Sequence, residues 1–144
     1  MLTKKSKYAL KALLYLAKSD DLIQISELAE KENIPQKFLE NILLELRKHG
    51  LLYSKRGKDG GYKLGKEPAE ITFGQIIRIL DGPLAPISCV SQIAYRKCDE
   101  CVDEKTCAIR KIMKMVRDET ADILDGTTLA DVVKTKTKKR NILS

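Results

Sequence analysis

ISELAEKENIPQKFLENILLELRKHGLLYSKRGKDGGYKLGK, residues 25–66, carries two helical patterns divided by a turn and then a hairpin pattern. Ser26 precedes the first run as a candidate cap, with Glu27 in its first turn complementing the helix dipole. Asn33-Ile34-Pro35 breaks that run. Pro35 suits the first position of a second helix, expected over residues 35–49 and closed by Gly50, a favoured C-terminal capping residue. On this second helix Phe38, Leu39, Ile42, Leu43 and Leu46 fall on one face, expected to pack inward. Gln36, Lys37, Glu40, Asn41, Arg47 and Lys48 fall on the other. A short helix, a tight turn and a second helix with an amide- and lysine-rich outer face make a helix-turn-helix. Such a second helix enters the major groove, where Gln and Asn pair with adenine edges. Residues 51–55 and 61–66 then read as two short strands around Arg56-Gly57-Lys58-Asp59-Gly60, a turn rich in residues that tolerate positive φ. This is a wing, with Arg56 and Lys58 at its tip aimed at the minor groove or nearby phosphates. The candidate DNA contacts are therefore Ser26, Gln36, Lys37, Glu40, Asn41, Lys48, Arg56 and Lys58.

Outward from this module, Tyr8, Leu10, Ala12, Leu13, Leu14, Leu16 and Ala17 form an apolar stripe, expected as a helix over residues 5–18. The lysines before that stripe imitate a signal peptide, but Lys11 and Lys18 interrupt it at helical spacing and no small-residue cleavage site follows. No apolar run approaches the roughly 20 residues that span a bilayer. Residues 71–80 read as a short helix with Thr72 as its cap, and residues 81–86 (DGPLAP) as a rigid break. After Cys107 a helix of about 17 residues is expected, with Ile109, Ile112, Met113, Val116, Thr120, Ile123 and Leu124 on one face. A small winged domain has no core left to cover that stripe, so a second copy of the chain is its expected partner. Residues 129–133 suggest one further helical turn, and residues 134–144 a basic, disordered tail able to hold phosphates loosely.

The 144 residues carry a net charge of +7, concentrated at the two ends of the chain, while residues 71–133 are mildly acidic. A basic N-terminal module points to a polyanionic partner. No Ser/His/Asp set, phosphate loop or paired carboxylates suggests an enzyme. The lone His49, one residue before Gly50, reads as a dipole-compensating helix end.

All four cysteines, Cys89, Cys98, Cys101 and Cys107, lie in a C-x8-C-x2-C-x5-C array. Their neighbours are polar and charged, so they are not core filler. Cys98 and Cys101 can bring two sulfurs to one metal, and Cys107 opens the long helix, whose dipole favours thiolate. Irregular spacing is common among iron–sulfur ligands. Zinc, which usually shows two close pairs, and a metal-free thiol switch remain open on spacing alone. In a cytosolic protein reduced thiols favour metal over structural disulfides.

KSKYALKALLYLA, the 25–66 stretch, ITFGQIIRILDG and the cysteine loop with its following helix together resemble the IscR/NsrR-type family of winged-helix iron–sulfur transcriptional regulators. The resemblance covers roughly residues 3–133, and its most specific elements are L-R-K-x-G-L and R-G-x-x-G-G-Y. It implies a cytoplasmic homodimer that binds a palindromic double-stranded operator. It also implies a 2Fe–2S or 4Fe–4S cluster whose redox state, iron supply or reaction with nitric oxide alters that binding. Family members usually show three cysteines, matched in order by Cys89, Cys101 and Cys107. The position where some relatives supply a ligating His is Arg110 here, and that of a ligating carboxylate is Lys7. Neither ligates iron in its charged form, which leaves Cys98 as the candidate fourth ligand. The expectation is thus a mainly α protein with a small β wing. Residues 1–82 form the winged helix-turn-helix, 83–107 the cluster loop, 108–133 a dimerisation helix with a short turn, and 134–144 a basic tail. An iron–sulfur carrier or scaffold that uses the winged module to dock proteins is the alternative from another class.

Overall fold

A computed structural model describes residues 2–137. Helix α1 (Lys4–Leu16) is capped by Thr3, whose hydroxyl accepts the Ser6 N–H at 3.1 Å. It buries Leu10, Ala12, Leu13 and Leu16 of the expected stripe, and Ala9 beside them, while Tyr8, Leu14 and Ala17 are half-buried. Helices α2 (Ile25–Lys31) and α3 (Gln36–Lys48) follow. Between them Asn33 takes φ +54°, a left-handed conformation that Asn tolerates. Ile34 is pressed into the core, so the turn is tight and anchored. From α3, Leu39, Ile42, Leu43 and Leu46 close the core against α1 and α2. Two details differ from expectation. Pro35 precedes α3 rather than opening it. Phe38, expected to pack inward, is 43% exposed, with its ring in a T-shaped contact with Tyr8 at 5.6 Å.

Strands β1 (Leu52–Lys55) and β2 (Gly61–Leu64) pair antiparallel, with Leu52 opposite Leu64. Ile23 adds an antiparallel bridge to Tyr62, so the chain entering α2 lies along the hairpin. A 3-10 turn (Pro68–Glu70) leads to α4 (Phe73–Asp81), where Thr72 Oγ1 accepts the Gln75 N–H at 3.1 Å as its expected cap. Thr3 Oγ1 donates to Asp81 Oδ1 at 2.6 Å and joins the start of α1 to the end of α4.

A second 3-10 turn (Ser88–Val90) opens the cysteine loop, and α5 (Ala108–Asp125) leaves it. None of the 18 residues of α5 is buried in the single chain. Its expected stripe divides. Met113, Thr120 and Leu124 lean on the chain's own surface, while Ile109, Ile112, Val116 and Ile123 point outward, joined by Met115. The C-terminal turn is larger than its sequence suggests. Helix α6 (Leu129–Thr137) has Leu129 fully buried in the main core, and Leu129 N–H donates to Ile71 O at 3.0 Å. The basic tail therefore begins as helix over Lys134–Thr137, and the rest of it lies outside the described residues.

Candidate nucleic-acid interface and cysteine loop

Gln36, Lys37, Glu40, Asn41 and Lys48 are all exposed on the outer face of α3, and Arg56 and Lys58 are exposed at the turn between β1 and β2. Arg47, on the same side of α3, donates to Ser54 Oγ at 2.9 Å and fixes β1 against the helix. His49 ends α3 and its Nδ1 lies 2.9 Å from Glu45 O, in keeping with a helix-end role. Ser26 is exposed, but it sits inside the first turn of α2 and caps nothing. The residue before the helix is Gln24, because the bridge from Ile23 to Tyr62 holds the chain extended up to that point. The Gln24 side chain makes no bond to α2; its Nε2 donates to Lys58 O at 3.0 Å and Gly60 O at 3.3 Å. Nothing in its local sequence marks Gln24 for this role, since its partners are more than 30 positions away.

All four cysteines are free thiols. Cys89 is buried in the 3-10 turn, Cys98 is exposed, and Cys101 and Cys107 are half-buried. Cys101 N–H donates to Cys98 O at 3.1 Å, so these two share one turn. Cys107 is the residue preceding α5, and its Sγ accepts the Arg110 N–H at 3.4 Å. Burial pushes the Cys101 thiol above its ordinary value, and the neighbouring Cys107 and Glu104 push it further. Four thiols in one segment are soft donors, the kind that a soft cation binds. Among the described residues, no group of three or more His, Cys, Asp or Glu side chains is assembled to hold a metal ion.

The loop is pinned from beneath by groups that the motif did not reveal. Glu104 accepts from Tyr95 Oη and lies 4.0 Å from Arg110 Nε, so the arginine at the family's histidine position is turned to a carboxylate. Arg117, midway along α5, donates to Val90 O at 2.6 Å, next to Cys89. At the end of α5, Asp125 receives both ends of the Arg78 guanidinium, at 2.6 and 2.9 Å. This pairing holds the Asp125 carboxyl below its ordinary value. Glycine at position 74 leaves room for it: a Cβ there would stand 1.9 Å from Asp125 Oδ1, and the carboxylate would have to shift. Cysteine loop, α5 and α4 are thereby joined in series.

Comparison with known proteins agrees with this architecture. The family model Rrf2, described as an iron-dependent transcriptional regulator, matches residues 2–135. An rrf2-like HTH-type transcriptional regulator of Rhodobacter capsulatus is 44% identical over 138 residues, covering 92% of each chain. The solved structure of CymR, the global cysteine regulator of B. subtilis, superposes with a TM-score of 0.78 at 32% identity, over 93% of this chain and 96% of that one. That of T. potens IscR gives 0.77 at 26% identity, over 100% and 93%. No helix among the described residues is long and apolar enough to cross a membrane.

Proposed function

As the chain belongs to the Rrf2 family of transcriptional regulators, we propose that it acts as a cytoplasmic homodimer on a two-fold-symmetric DNA operator, with affinity set by an iron–sulfur cluster on Cys89, Cys98, Cys101 and Cys107. In this reading α3 lies in the major groove with Gln36, Lys37, Glu40 and Asn41 toward the bases. Ser26 and Lys48 flank it at phosphates, and Arg56 and Lys58 extend the contact through the wing. The observation that carries the proposal is the pair of clamps on α5, from Arg117 to Val90 O and from Asp125 to Arg78. One helix is thus tied at its middle to the cysteine loop and at its end to the DNA-reading module. Its outward residues Ile109, Ile112, Val116 and Ile123, with Glu119 between the last two, alternate steps of three and four, the spacing of a two-helix seam. A second α5 on that seam brings two readers to one operator.

A bound iron–sulfur cluster supplies a centre that responds to electrons, to iron supply and to nitric oxide. The chain's own part is to offer four soft donors and to relay the loop's arrangement through Arg117 and Asp125. The test is an absorption spectrum of anaerobically purified protein, with iron and acid-labile sulfide counted per chain. Visible charge-transfer bands, matched iron and sulfide, and operator affinity that changes on cluster removal are expected. Cys98→Ser is then expected to lower cluster retention. A colourless protein that reconstitutes nothing would overturn the cluster.

A second reading is a metal-free thiol switch, favoured by four free thiols with no assembled metal-holding group among the described residues and by similarity to the cysteine regulator CymR. It predicts a colourless protein whose operator affinity changes on oxidation, with loss of two thiols, and recovers with dithiothreitol.

A further inference from the structure

We propose that Gln24 is a positioning residue for DNA recognition: its side-chain amide fixes the wing tip relative to the helix-turn-helix, and operator affinity depends on it through Arg56. The inference rests on the reading of α3 and the wing as the DNA-binding surface.

Gln24 stands where a short polar side chain would ordinarily cap the helix that follows. Its amide is committed elsewhere, to the carbonyls of Lys58 and Gly60, which flank Asp59 in the wing turn. An amide nitrogen carries two hydrogens, so one for each carbonyl uses the whole donor capacity of the group. Backbone bonds also hold the wing, one strand pair from its turn. Ile23 N–H donates to Tyr62 O at 2.9 Å and Tyr62 N–H donates to Ile23 O at 2.8 Å. The approach is so close that a Cβ on Gly61 would stand 2.5 Å from Ile23 O. Backbone bonds therefore fasten the turn end of β2 to the chain entering α2, and the next residue reaches from that same point onto the turn itself. The cations at the turn, Arg56 and Lys58, are exposed. A cation presented from a fixed backbone loses less freedom on meeting a phosphate or a groove than one on a wandering tip. Gln24 supplies that fixity from the element that also aims α3.

The test uses the full-length protein and an operator duplex recovered by selection from random DNA, with binding read by fluorescence anisotropy and folding by thermal midpoint. Gln24→Ala is expected to weaken operator binding about tenfold with an unchanged midpoint, a size in line with loss of an ordered polar contact at such an interface. Gln24→Glu, which presents acceptors to two carbonyls, is expected to weaken it at least as much. The decisive measurement is a double-mutant cycle: Arg56→Ala costs markedly less affinity in the Gln24→Ala background than in the wild type. Wild-type affinity in Gln24→Ala, strictly independent losses in the cycle, or a loss that tracks a lowered midpoint would each overturn the proposal. If the wild type selects no sequence, the DNA-binding reading itself falls. If it selects one and Arg56→Ala weakens binding while Gln24→Ala does not, only the role of Gln24 falls.

Discussion

Residues 4–81 and residues 88–125 solve the problem of apolar surface in opposite ways. In the first region Leu13, Leu43, Leu46 and Ile76 are fully enclosed, and α1, α2, α3 and α4 cover one another. In the second, no residue of α5 is fully buried, Ile109 is 67% and Ile123 65% exposed, and every residue of 92–100 faces solvent. The reading module draws its stability from its own chain. The cysteine loop and α5 are held by polar clamps and by half-buried contacts with α4 and the Ser88–Val90 turn, and under the proposed function a partner or a ligand binding the folded state would add to their ordering. Under the proposed function, such a region is the part that would respond to what completes it.

Three experiments probe that contrast, beginning with the largest effect. Leu43→Ala in the sealed region is expected to cost about 3 kcal/mol, from lost burial plus the cavity left behind, measured by urea denaturation. Equal stability in mutant and wild type would contradict the enclosure of α3. Ile112→Glu in the open region is expected to leave the helical circular dichroism of the reader intact while shifting the sedimentation profile from dimer to monomer. A dimer that survives the charge would place the seam elsewhere. The smallest effect belongs to the clamp. Arg78→Ala should cost about 1 kcal/mol at most, since the pair is partly exposed and screened. Because Asp125 sits below its ordinary value of 3.8, its contribution is complete above that value and is lost as pH falls through the lower folded one. Acid denaturation of wild type and Arg78→Ala should therefore converge at low pH, and parallel curves would deny the coupling.

The reading module was largely legible in the sequence because its signals are local. The period of Leu39, Ile42, Leu43 and Leu46 gives a buried face, and R-G-K-D-G-G gives a turn that few other residues could make. What escaped depended on distant chain. Periodicity assigns Phe38 an angle on the helix but not a neighbour to cover it. Ser26 has the right chemistry for a cap, yet the bridge at Ile23 moves the boundary to Gln24. The stretch from Leu129 announces one helical turn but not its place in the core, which follows from the pairing of Thr128 with Thr72, more than 50 residues earlier. In the cysteine region the four thiols were plain, whereas the tethers of Glu104 and Arg117 were hidden among ordinary surface charges.

The Cys107 sulfur is the acceptor that finishes the first turn of α5. A thiol sulfur is a weak acceptor, a thiolate, free or metal-bound, is a stronger one, and a disulfide sulfur offers less to an amide. Chemistry at that one atom thus reaches the fraying of a helix end, since the Arg110 amide keeps or loses its partner according to what the thiol is doing. Amide exchange over the opening residues of α5 becomes a clock for the state of the thiol, readable in a protein that carries no colour at all.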